Sequence, residues 1–119
     1  MANLQHLPLY IKFFHLNKYL HERVRNFPKH WKYTLGESIL NLNWRCLDLL
    51  IEANSFSGKE KHSKILALSV AFDCLKVRLR IAQETELISR KQYVHIQSGY
   101  VREIGEMVGG WIKWSKGNE

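Results

Sequence analysis

The chain has little of what marks most catalytic, secreted or membrane proteins of its size. It holds only two cysteines and two prolines in 119 residues, and its acids are outnumbered, eleven Asp and Glu against eighteen Lys and Arg. Cys46 and Cys74 both fall inside apolar helical patterns. They read as reduced core residues rather than a disulfide or a ligand pair. No apolar run approaches the roughly 20 residues needed to cross a bilayer. Met1–Pro8 lacks the charged flank and small-residue cleavage site of an export signal. The expectation is a cytoplasmic chain with no membrane partner. The six histidines, His6, His15, His21, His30, His62 and His95, form neither HExxH nor an i,i+4 pair. There is no Cys-x-x-Cys, no Gly-rich phosphate loop and no Glu-x-x-His of the di-iron bundle type. No catalytic residue, metal or cofactor is therefore expected, and the chain reads as a non-enzyme.

What is present points to a packed, basic, helical protein. The chain is 45% hydrophobic with four Trp, five Tyr and five Phe, which excludes disorder. Its length suits a single domain spanning 1–119, with a core that needs no staples. The formal net charge of +7 favours polyanionic partners: nucleic acid, an acidic membrane surface or an acidic protein.

Apolar spacing of three and four residues recurs through the whole chain, and no strand-like alternation appears. Leu9, Phe13, Leu16, Leu20, Val24 and Phe27 define a first helix opened by Pro8 and closed by Pro28. A short basic connector, Lys29-His30-Trp31-Lys32-Tyr33, follows. The second helix buries Leu35, Ile39, Leu42, Cys46, Leu49 and Ala53, and the fourth buries Tyr93, Ile96, Tyr100, Ile104, Met107, Trp111 and Trp114. Three helix starts carry the S/T-x-x-E/Q capping box: Thr34 with Glu37, Ser57 with Glu60, and Ser89 with Gln92. Helices of about 8–26, 35–54, 58–86 and 90–115, joined by short connectors, predict an all-α, antiparallel up-and-down four-helix bundle.

The third helix is apolar on two opposite sides. One row is Ile65, Leu68, Phe72, Leu75, Leu79 and Ala82; the other is Leu66, Val70, Cys74, Val77 and Ile81. One neighbouring layer cannot cover both, so the second row asks for another part of the bundle or another subunit. Leu66, Val70, Val77 and Ile81 are the candidate subunit contact. Gly105 and Gly109 join them, because their small-xxx-small spacing admits a close neighbouring helix at a helix-interior cost of about 1 kcal/mol per Gly.

Charge is uneven along the chain. Up-and-down topology gathers the end of the first helix, the end of the third and the start of the fourth at one pole. That predicts a cationic cluster of Arg23, Arg25, Lys29, Lys32, Lys76, Arg78, Arg80, Arg90 and Lys91, with Trp31 and Tyr33 among them. Arg90 and Lys91 sit in a helix's first turn, where the macrodipole is already positive, so a bound phosphate would relieve repulsion there. Such contacts would position nucleic acid without reading its sequence. Arg78 lies on the flank between the two apolar rows of the third helix, a place for a half-buried guanidinium at a subunit contact.

Two stretches carry a family resemblance. One is Phe27-Pro28-Lys29 followed by Tyr33-Thr34-Leu35-Gly36. The other is Tyr100-Val101-Arg102-Glu103-Ile104-Gly105-Glu106-Met107-Val108-Gly109-Gly110-Trp111-Ile112. With Leu75-Lys76-Val77-Arg78-Leu79-Arg80-Ile81-Ala82 between them, the chain resembles the accessory variability determinant (Avd) proteins of bacterial diversity-generating retroelements, over about residues 9–115. The family's basic pair, spaced four apart on the third helix, falls on Lys76 and Arg80, so its first member here is Lys rather than Arg. The resemblance implies a four-helix bundle assembled as a barrel-like homopentamer. It also implies binding to a reverse transcriptase and to template RNA and cDNA in support of mutagenic reverse transcription. Related four-helix bundles are encoded in intervening sequences of bacterial ribosomal RNA, and a protein of that type is one alternative. A purely structural helical oligomer with no nucleic-acid role is another.

Overall fold

The computed structural model describes residues 7–118. The first six residues of the Met1–Pro8 segment, His6 and the last residue of the 1–119 domain lie outside the described residues. Four long helices account for most of the described chain. α1 is Pro8–Arg25. α2 spans 29–55 in three successive stretches: Lys29–Trp31, a wider π-helical turn at Lys32–Gly36, and Glu37–Ser55. α3 is Gly58–Glu84. α4 spans 90–116, again interrupted by a π turn: Arg90–Ile96, Gln97–Val101 and Arg102–Lys116.

Side-chain contacts fix the topology. Lys12 of α1 reaches Gly99 and Glu103 of α4, while Tyr19 meets His95 and Tyr100. Arg78 of α3 meets Ser38 of α2, and Lys64 meets Glu52. His62 of α3 meets Ser115 of α4. In the first two pairs one number rises as the other falls, and His62–Ser115 joins the start of α3 to the end of α4, so these neighbours run antiparallel. The helices form an up-and-down bundle of 45 × 24 × 23 Å. No strand occurs among the described residues, and none of their helices is long and apolar enough to cross a membrane.

The apolar rows land where their spacing puts them. Leu9, Phe13, Leu16, Leu20, Val24 and Phe27 are all buried, as are Ile65, Leu68, Phe72, Leu75, Leu79 and Ala82. Phe13 meets Phe72 edge-on at 5.6 Å across the centre of the bundle. Each fully buried Leu, Ile or Phe among them contributes about 1.5–3 kcal/mol relative to exposure.

Three expectations need correction. The segment 29–33 is not a connector: Pro28 takes an extended ψ of 148° and α2 starts directly after it. The Lys32 N–H bonds to the Pro28 carbonyl at 2.8 Å, so the helix is already running when it reaches Thr34. With no free N–H to accept, the Thr34 hydroxyl instead donates back to the His30 carbonyl at 2.8 Å. Ser57 does precede α3, but its side chain makes no capping bond; only Ser89 and Gln92 complete the reciprocal box, at 3.0 and 2.9 Å. Trp114 is exposed rather than buried, and Ser115 takes the inward position. The cause is the π turn at Gln97–Val101. The inward residues Ile96 and Val101 stand five apart there, so the inward face slips one residue to Val101, Ile104, Val108 and Ser115.

The turn between α3 and α4 is built by backbone bonds. The N–H groups of Glu86 and Leu87 donate to the carbonyls of Gln83 and Ala82, with Glu86 at φ 64°. This is the double closure of a Schellman motif, made with a glutamate where glycine is usual.

Candidate functional site

The structure places the nine predicted cations unequally. Arg25 and Lys32 face one groove between α1 and α2, of about 490 Å³, which His21, Tyr33 and Leu40 also line. Glu22 and Glu37 line it too and temper its charge. Lys29, Arg90 and Lys91 are exposed where α2 and α4 begin, and, like Arg25 and Lys32, make no ion pair among the described residues. These five are the cations left for an external anion at this pole.

The other four are engaged. Arg23 lies over the Tyr19 ring at 5.2 Å and approaches Glu22 at 3.7 Å. Arg78 is half-buried between α2 and α3, its Nε donating to Ser38 Oγ at 2.6 Å and its Nη1 to the Cys74 carbonyl at 3.2 Å. Its partners are thus in its own chain. Lys76 pairs with Asp73 at 3.0 Å and lies over Phe72. It also stands eight residues before the end of α3, about 12 Å down the rod at ~1.5 Å per residue. Arg80 pairs with Glu84 at 3.7 Å. The pole is therefore basic but looser than a single nine-residue cluster.

The subunit-contact candidates lie on the outside. Leu66, Val70, Val77 and Ile81 are 43, 63, 58 and 41% exposed and run along the outer face of α3. Gly105 is exposed and Gly109 half-buried, and a methyl group at either would meet nothing within 4 Å. Among the described residues nothing crowds either position, so close packing within this bundle does not call for glycine there. Gly36 is the tight one: a Cβ there would sit 2.7 Å from Val24 Cγ1.

The Phe27–Gly36 stretch and the α4 stretch around Gly105 were the basis of the family resemblance, and both now have a place in the bundle. The bAvd-like family model matches residues 9–115. The chain belongs to the bAvd-like family. That match spans all four helices, so this Avd-type chain carries the family pattern across the whole bundle rather than in one motif. Comparison with curated proteins and with solved structures finds no match.

Sequence reasoning also passed over a second basic region on this bAvd-like chain. At the opposite pole lie Lys59, Lys61 and Lys64 of α3 with Lys113 and Lys116 of α4. Lys61 Nζ stands 5.6 Å from the Trp111 ring centre and 5.5 Å from that of Trp114. The signal was legible as Lys59-Glu60-Lys61-His62-Ser63-Lys64 and the Trp111-x-x-Trp114 pair, once α3 and α4 are set antiparallel. Among the described residues, no three His, Cys, Asp or Glu side chains converge as a metal site would need.

Proposed function

We propose that this chain is the non-catalytic accessory protein of a bacterial diversity-generating retroelement, a basic helical oligomer of the cytoplasm. In this reading it binds the reverse transcriptase together with template RNA and cDNA and supports mutagenic copying. The observation that carries it is the bAvd-like match across residues 9–115. Two surface features support it. Unpaired cations at the Arg25, Lys29, Lys32, Arg90 and Lys91 pole suit a phosphate backbone. The uncovered apolar row of α3 suits assembly, with a homopentamer as the expected state.

RNA binding measured against salt tests the reading. Neutralising several phosphates requires affinity to fall steeply between roughly 50 and 200 mM salt. Reversing Arg25, Lys32, Arg90 and Lys91 to Glu is expected to remove most of that affinity while helicity by circular dichroism is unchanged. A flat salt response, or full binding by the reversed variant, overturns the nucleic-acid part. Failure to co-purify with a reverse transcriptase of such a retroelement overturns the accessory role.

A further inference from the structure

At the pole opposite the predicted cluster, the α2–α3 turn and the end of α4 enclose a cleft of about 190 Å³. Two exposed aromatic rings line it: Phe56 from the turn, 41% exposed, and Trp114 from α4, 53% exposed. An exposed Phe and an exposed Trp on one small cleft offer a stacking surface that the fold covers only in part.

Cations support both rings. Lys61 lies against Trp111 and Trp114, and Lys64 stands 5.9 Å from the Phe56 ring centre while reaching Glu52 at 3.6 Å. Lys59, Lys61 and Lys64 fall in the first two turns of α3 and Lys113 and Lys116 in the last turn of α4, and of these five only Lys64 has an acidic partner, Glu52, among the described residues. The cleft also presents groups able to read a polar edge. The Ser57 hydroxyl makes no capping bond to α3, and Ser57 lines the cleft. Asn118 donates its amide N–H to the Trp114 carbonyl at 2.6 Å, which leaves its side-chain oxygen to accept.

Planar aromatic faces, surrounding positive charge and a few edge-reading polar groups together match an unstacked nucleobase on a charged backbone. We infer that the Phe56–Trp114 cleft is a second nucleic-acid contact, which seats an unpaired base of a single strand while the neighbouring lysines hold its phosphates. The inference rests on the nucleic-acid part of the proposed function but names a different surface, at the other end of the rod, with a different preference. Stacking needs a base free of its duplex, whereas phosphate contacts at the first pole do not.

The test uses the full chain with a fluorescein-labelled 12-mer of oligo(A) RNA and an RNA duplex of equal length. Phe56→Ala and Trp114→Ala are each expected to weaken single-strand binding on the order of tenfold. Trp114→Phe retains a stacking face and is expected to stay near wild type. Duplex binding is expected to be unchanged by all three. Both rings are largely outside the core, and circular dichroism checks that each variant keeps its helices. Unchanged single-strand affinity in Trp114→Ala, or an equal loss for both RNA forms, overturns the inference. If charge reversal at Arg25 and Lys32 removes binding while the aromatic changes do not, the proposed function stands and this cleft has no part in it. If the wild-type chain binds neither RNA, both fall together.

Discussion

At the scale of single residues, the core is apolar with a few costly exceptions. Cys46 is fully buried, and burial pushes its thiol up to about 12, with Arg45 pulling the other way and Cys74 adding slightly to the rise. A raised thiol keeps its proton in the folded chain at pH values where the unfolded chain has lost it. Stability from this group is therefore complete below about pH 9 and declines as pH climbs from there toward 12. Urea melts at successive alkaline pH values should show a shallower decline in Cys46→Ala than in the parent. In the same samples iodoacetamide is expected to modify half-buried Cys74 well before Cys46. Asn43 is a different exception: wholly buried, with no partner among the described residues for its amide nitrogen or its oxygen, and Asn17 shares part of that condition. Neither was visible in the apolar spacing, because a polar residue on an inward face leaves only a gap in the pattern. Gly36 belongs to the family pattern for a steric reason that spacing does not reveal: Val24 and Phe27 leave no room for a side chain.

At the scale of elements, helix identity was readable and helix edges were less so. The three-and-four spacing found every buried apolar residue of α1 and, Ala71 apart, every buried residue of α3, because those helices keep one repeat from end to end. It misplaced Trp114 because the π turn in α4 adds a residue that no local composition announces. Two of the three capping boxes do not form: Thr34 lies within a helix already begun, and the Ser57 side chain makes no capping bond although it stands in the right place, for which the structure offers no reason. The turn after α3 offers a direct test of local energetics. Glu86 occupies a left-handed backbone, φ 64°, that costs a residue with a Cβ roughly 1–2 kcal/mol. Glu86→Gly should raise the midpoint of thermal unfolding, by an amount equivalent to about 1 kcal/mol, without altering the pairing of α3 with α4. An unchanged or lower midpoint would mean that the Glu86 side chain contributes more than its backbone costs.

At the scale of the whole molecule, the two-sided apolarity of α3 is the feature most plainly written in the sequence and least used by the single chain. Val70 and Val77 remain the most exposed of its outer row. The contact they ask for was readable from period alone; the identity of what covers them was not, because spacing carries no information about a partner. Val70→Glu with Val77→Glu should convert an assembled species to single chains in light scattering, with helicity retained, since neither residue belongs to the core. An assembly that withstands both changes places the subunit contact elsewhere. The cationic pole was legible only in part, because topology brings helix ends together but does not tell which side chains find partners within their own helix, as Lys76 and Arg80 do.

The two wide turns, Lys32–Gly36 and Gln97–Val101, have one more implication. Each stores a surplus residue inside an otherwise ordinary helix, like slack taken up in a single loop of rope. Losing one amino acid anywhere else in α2 or α4 would swing every later side chain about 100° away from its seat. Losing one within either slack turn only tightens the coil, and the flanking stretches go on facing the partners they face now.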